Sequence, residues 1–141
     1  MKKEDVRKHG FVISDDEVDG AEVPGDHNRI LKVLLSPEVG NYDDATILIS
    51  DIQPGKNTGM HTHNADEIMY VASGYGHNEC GGVKTEVKEG STVFAPADVE
   101  HDIVNESDEV LRLFCIFKPS IEPTGKFLEA TKKMKEKFEK M

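Results

Sequence analysis

From Arg29 onward, apolar positions come in short β-branched runs, and a turn signal cuts each run. Ile30 to Leu35 stops at Ser36-Pro37, and Ala45 to Ile52 stops at Pro54-Gly55. Glu67 to Ala72, Val83 to Val87, Thr92 to Ala95, His101 to Asn105 and Val110 to Phe117 follow. Gly74, Gly76, Gly81-Gly82, Gly90 and Asn105-Glu106-Ser107-Asp108 separate them. Short strands with a turn signal roughly every 8–12 residues predict an all-β sandwich or barrel.

Two segments depart from this pattern. In the run Val110 to Phe117, Leu111, Leu113, Cys115 and Phe117 share one face and Phe114 and Ile116 the other. A strand apolar on both faces is expected to be buried on both, by more of the chain or by a second subunit. Arg112 within it needs a partner for its charge. A substrate carboxylate is one option, and an acid at a subunit interface is the preferred one. After Thr124, a potential N-cap, the period changes to 3.6: Phe127, Ala130, Thr131, Met134, Phe138 and Met141 fall on one helical face. Glu129–Lys133 and Glu136–Lys140 are favourable i,i+4 pairs. The chain therefore divides into an N-terminal arm (1–27), a barrel (28–120) and a C-terminal helix (121–141), the last packed on the barrel wall or on a dimer partner. The arm is polar and acid-rich apart from Phe11-Val12-Ile13, and is expected to wrap the surface or add an edge strand.

Length and charge narrow the function. A chain of 141 residues is one domain by size and needs no disulfide support. The formal net charge of −10 opposes phosphate backbones and anionic membranes, so nucleic acid and membrane are not expected partners. No apolar run follows the charged N-terminus, and Cys80 and Cys115 are too few for a disulfide framework. Cytoplasm is the expected compartment, with both cysteines as buried free thiols. The two-faced strand, the arm and the helix together suggest a homodimer joined through barrel faces.

The candidate chemistry lies between Gly55 and Gly74. His61, His63 and Glu67 stand in a His-x-His-x3-Glu pattern. Residues two apart on a strand share a face about 6.6 Å apart, so two imidazoles can converge on one ion at roughly 2.1 Å each. On a straight strand Glu67 would lie about 13 Å past His63, too far to share that ion. The chain must therefore turn at Asn64-Ala65-Asp66, whose composition suits a turn. Glu67 then opens the next strand, and His101 arrives from a later one to complete three imidazoles and a carboxylate. A His-x-His pair alone could be two solvated histidines; the longer pattern is what points to a metal.

The segment Gly55 to Gly74 resembles the first motif of the cupin superfamily, with all its fixed positions present. Gly90 to Asn105 resembles the second, matching at Gly90, Pro96, His101 and Asn105. Asp98 departs from it, standing where the family often has Gly; Asp tolerates left-handed backbone better than most residues. The resemblance implies a jelly-roll barrel, or double-stranded β-helix, with metal ligation by His61, His63, Glu67 and His101.

Such a ligand set suits Mn, Fe, Ni, Co or Zn in the divalent state. Six-coordination would leave two adjacent positions open for a bidentate hydroxy acid, keto acid, enediol or sugar. Strand parity carries Met69 and Val71 inward with Glu67, and Tyr70 outward. Ile103 and Asn105 share the His101 face, with Asn105 better suited to bonding backbone than to catalysis. Tyr75, His77 and Glu79 on one parity, or Asn78 and Cys80 on the other, are candidate acid–base groups, unless they form a solvated outer face. Three functions fit: a metal-dependent isomerase, lyase or decarboxylase acting on a small oxygenated metabolite; an Fe(II) dioxygenase; or a non-catalytic metabolite- or metal-binding barrel.

Overall fold

The computed structural model describes residues 1–141. Helix α1 (Lys3–His9) is followed by nine strands: β1 (Ala21–Val23), β2 (Arg29–Leu35), β3 (Thr46–Ile52), β4 (Asp66–Ser73), β5 (Tyr75–Cys80), β6 (Val83–Lys88), β7 (Thr92–Ala95), β8 (His101–Asn105) and β9 (Leu111–Lys118). Helix α2 (Gly125–Lys140) closes the chain. The strands form a six-stranded sheet, β1-β2-β3-β9-β4-β7, and a three-stranded sheet, β6-β5-β8, with every pairing antiparallel. This is the jelly-roll arrangement, and strand parity decides what faces its interior. On β4, Glu67, Met69 and Val71 are buried while Ile68 and Tyr70 are exposed. On β9, Leu111, Leu113, Cys115 and Phe117 are buried in the same alternation.

The first of the two expected covers for the outer face of β9, more of the chain, is missing: this chain supplies neither a helix nor a loop over Phe114. Phe114 is 37% exposed and Ile116 half-buried, so this chain buries the strand on one side only. Arg112 on that outer face is paired within the chain, not across a subunit boundary. Its Nε donates to Asp51 Oδ1 at 2.7 Å, and its Nη2 to Asp51 Oδ2 at 2.9 Å and Asp15 Oδ2 at 2.8 Å. Asp51 lies directly opposite Arg112 on β3, and Asp15 comes from the N-terminal segment. The ion cluster thus staples that segment to the sheet. The Arg112 hydrogen bond holds the Asp15 carboxyl below its ordinary value, against the opposing effect of burial.

The N-terminal segment contains an edge strand, β1, paired with β2, and a helix, α1, that hydrophobic patterning missed. No residue of α1 is buried, so it has no apolar stripe to read. Charge supports it instead: Glu4 and Asp5 in the first turn and Arg7, Lys8 and His9 in the last complement the helix dipole. Helix α2 packs on β1 and β2 through Ala130, Thr131, Met134 and Phe138, while Met141 stays 38% exposed. Its Glu129–Lys133 and Glu136–Lys140 pairs close at 3.8 and 3.0 Å. Thr124 occupies the N-cap position, but its hydroxyl makes no capping bond. Both cysteines are free; Cys115 is buried, whereas Cys80 is only half-buried.

Candidate metal centre

Backbone pairing places the first and last of the four candidate ligands face to face. His61 N donates to His101 O at 3.1 Å, and His101 N donates to His61 O at 2.9 Å. Beyond this bridge His63 lies in no regular strand, but its carbonyl accepts from Asp98 N at 2.8 Å. The chain then bends at Asn64 and Ala65, and β4 begins at Asp66, whose carboxylate accepts from Ala97 N at 2.9 Å. The bend required by the His63–Glu67 spacing is therefore present, and Glu67 enters the interior on β4. Asp98 adopts a φ of 66°, so the left-handed turn survives without glycine.

The ligand atoms of His61, His63, Glu67 and His101 all lie within 4.8 Å of one another. Donors bound at roughly 2.1 Å to one ion sit about 3.0–3.4 Å apart when adjacent and up to about 4.2 Å apart when opposed. Only small side-chain shifts separate the cluster from that spread. The tautomers also fit. His61 Nδ1 donates to Gly59 O at 2.6 Å and His101 Nδ1 to Val99 O at 2.9 Å, which leaves both Nε2 atoms for the centre. Phe117 meets the His63 ring edge-on, centroids 4.9 Å apart, and restricts its rotation.

Electrostatics agree with this geometry. Burial lowers the His61 value and takes His63 down to about 4, so both imidazoles keep a free lone pair at neutral pH. Burial also acts to lower His101, but the Glu67 carboxylate and the Val99 carbonyl outweigh it and raise the value. Glu67 is only 5% exposed, with Oε1 2.9 Å from His101 Nε2 and 3.7 Å from His63 Nε2. A buried carboxylate needs a cation, and in the free protein a proton on His101 can serve. Cupin-type ligation therefore fits the residues present.

A cavity of about 360 Å³ opens beside the cluster. Leu31, Leu48, Met69, Leu113, Ile121 and Phe127 make its wall largely apolar. The exposed Thr124 and Lys126 at the start of α2 lie on its rim. Tyr75, His77 and Glu79 do not line it. They fall on the outward parity of β5, where His77 Nδ1 bonds Glu106 Oε1 at 2.6 Å and Tyr75 is 55% exposed. Asn78 has the inward parity but borders a separate cleft with Thr92 and Val93. Asn105 bonds backbone as expected: Nδ2 donates to Ile52 O, Gln53 O and Glu109 O, and Oδ1 accepts from Ser107. The cavity wall also holds Arg29, Ser50 and Thr58, polar residues that hydrophobic alternation does not mark. Arg29 carried a usable signal, because it shares the inward parity of Leu31 and Val33 at the start of an apolar strand.

A jelly-roll barrel with three imidazoles and a carboxylate around one interior point is the architecture of metal-site cupins. Residues 48–117 match the family described as the cupin domain, and through this domain the chain belongs to the cupin superfamily. It is 29% identical over 91 residues to an uncharacterized protein of Methanocaldococcus jannaschii, covering 64% of this chain and 73% of that relative. Among solved structures it is similar to a predicted oxalate decarboxylase from Thermotoga maritima, with a TM-score of 0.70 at 21% identity, covering 77% of this chain and 99% of the other. It is also similar to the polyketide cyclase RemF from Streptomyces resistomycificus, with a TM-score of 0.69 at 20% identity, covering 80% and 82%. At such identities these two likenesses concern the fold. No helix is long and apolar enough to cross a membrane.

Proposed function

We propose that the protein is a metal-dependent enzyme of the isomerase, lyase or decarboxylase type. In this reading, His61, His63, Glu67 and His101 hold one divalent ion, and a small hydroxy acid, keto acid or sugar derivative chelates it through two oxygens. The observation that carries it is the convergence of four ligand atoms within 4.8 Å at the wall of a 360 Å³ cavity. When bound, the ion supplies Lewis acidity, which polarises a carbonyl and lowers the pKa of a coordinated hydroxyl. The chain's own residues do the rest. Gly59 and Val99 hold the His61 and His101 rings in the ligating tautomer through the bonds to Nδ1. Met69, Leu113 and Phe117 exclude water from one side of the site. The fold likeness to chains described as a decarboxylase and a cyclase is in keeping with this class.

The test is to purify the protein, measure its metal, and titrate the loaded form with hydroxy and keto acids. Melting temperature, product formation by NMR and oxygen uptake are then followed. Binding and turnover without oxygen uptake are expected. Iron-dependent oxygen consumption would instead point to a dioxygenase, and a ligand bound but unchanged after long incubation to a binding barrel.

We further propose a cytoplasmic homodimer. Its support is the outer face of the six-stranded sheet. There Ile68 lies opposite Ile116 and Phe94, and Tyr70 opposite Phe114. Ile68, Tyr70, Phe94 and Phe114 are 41, 48, 56 and 37% exposed, a contiguous apolar patch of the kind that marks an interface. Size-exclusion chromatography should show about twice the 15.7 kDa chain mass, and a species at 15.7 kDa would contradict the dimer.

A further inference from the structure

Arg29 lines the cavity without an ion-pair partner. Its guanidinium carries five N–H donors, and one of them is used: Nη1 donates to Thr58 O at 3.1 Å. No carboxylate stands within ion-pair distance of it, in contrast to Arg112 with Asp51 and Asp15, Lys32 with Asp15, and Lys126 with Glu129. Burial lowers its value against the smaller opposing influence of the Glu67 carboxylate. The same wall holds a second orphan. Ser50 is 4% exposed, and its Oγ has no hydrogen-bond partner. Leaving a buried hydroxyl unpaired costs about 1–3 kcal/mol, so such a group facing a cavity calls for an occupant.

Register puts the two on one surface. Ser50 on β3 lies opposite Leu31 on β2, and Arg29 lies two residues from Leu31 on the same face. They are diagonal neighbours, about 7–8 Å apart at Cα and within reach of a long side chain. The Arg29 guanidinium is within electrostatic reach of Glu67, His61 and His63, while Ser50 stands further from the candidate ligands. Ser50 shares its cross-strand row with Leu113 and Val71, whereas Glu67 shares a row with Phe117 and Thr46. Those rows are four residues apart, about 13 Å along the strands.

We infer that Arg29 and Ser50 form an anion subsite that takes a carboxylate of the molecule chelated at the metal centre. The inference rests on the reading under Proposed function and narrows it: the ligand is an acid with a chelating head at one end and a carboxylate at the other. A divalent ion and a guanidinium against one carboxylate leave an excess of positive charge in the cavity, which such a dianion neutralises. A planar fork plus one hydroxyl matches a carboxylate held by two parallel N–H bonds. A carboxylate brings one charge to that fork, whereas a phosphate would bring a second onto a wall that is largely apolar. Arg29 itself is fixed from behind, because Thr58 is tied to β8 by Ile103 N donating to Thr58 Oγ1 at 3.0 Å.

The test has two arms. In the metal-free protein, the arginine Nε–H signals are followed by NMR during titration with glutarate, glutaramide and inorganic phosphate. Glutarate is expected to shift one signal saturably, with that signal missing in Arg29→Lys; glutaramide and phosphate leave it in place. No shift with glutarate, or an equal shift with phosphate, overturns the subsite. In the metal-loaded protein, calorimetry compares malate, 2-hydroxyglutarate and 2-hydroxyadipate with their ω-amides. At one chain length the diacid should bind at least tenfold tighter than its amide. Arg29→Gln should bring the diacid to the amide's affinity without changing the amide, and Ser50→Ala should cost the diacid several-fold. Diacid and amide binding equally at every length, or Arg29→Gln weakening both alike, overturns the inference. If glutarate shifts Arg29 but no hydroxy acid binds the loaded protein, the chelation reading fails and the subsite stands. If hydroxy acids bind without discrimination, the reverse holds.

Discussion

His61 and His101 face each other across a two-bond backbone bridge, N to O at 3.1 and 2.9 Å, with their rings 4.5 Å apart. Residues forty positions apart in sequence are thus fixed relative to one another by main chain alone. Each ring is then held by its own carbonyl partner, so little ordering remains for a metal to impose.

This preorganisation predicts a measurable stabilisation by metal. An ion at about 100 times its Kd should add roughly 2.7 kcal/mol and raise Tm by roughly 5–10 °C. His101→Ala should abolish the shift. Differential scanning fluorimetry with Zn, Mn, Ni, Co and anaerobic Fe checks it. An unchanged Tm with every ion, or an equal shift in the variant, would contradict metal binding at this cluster.

Gly76 governs how β8 docks on β5. It lies opposite Asn105, and a Cβ there would collide with the Val104 carbonyl. Gly76→Ala should therefore cost about 1–3 kcal/mol by overpacking and weaken metal affinity, because β8 carries His101. Urea denaturation and metal titration read the two effects. Stability within 0.5 kcal/mol of the wild type, by the usual margin for neutral surface changes, would contradict the packing argument.

The Asp15–Arg112–Asp51 cluster should leave a signature at acid pH. In the folded chain Arg112 bonds the charged form of Asp15 and holds its carboxyl below the ordinary value. A folded-state value lower than the unfolded one gives stability that is full above the unfolded value. It is lost as pH falls through the folded value. The urea midpoint of Asp15→Asn should therefore fall below that of the wild type at pH 7, and the gap should close below about pH 4. A gap that persists or widens in acid would show that the side chain contributes through packing instead.

Much of this architecture was legible because β structure with one buried face writes itself as alternation. Seven of the strands lie within a residue or so of their apolar runs, and the spacing from His63 to Glu67 required the bend found at Asn64 and Ala65. Alternation reports faces, not neighbours, and the misreadings follow from that. The apolar outer side of β9 reads as a face to be covered, and the pattern does not say by what; this chain leaves Phe114 exposed. Arg112 reads as an interface charge because its partners Asp51 and Asp15 lie 61 and 97 positions away, on elements that alternation does not pair with β9. The strand after Gly74 carries polar residues on both parities, so its pattern could not tell whether Tyr75, His77 and Glu79 face the cavity or solvent. Arg29 was visible as an inward-facing charge, but its lack of a partner is a property of the folded wall alone.

His61, His63, Glu67 and His101 are proposed to hold one divalent ion. The most direct test is elemental analysis of the protein and of Glu67→Gln after equal metal exposure and exhaustive dialysis. About one transition-metal ion per wild-type chain is expected, with a large loss in the variant, because the amide brings no charge to the ion. A wild-type protein that dialyses free of metal, or a variant that retains the same amount, would contradict it.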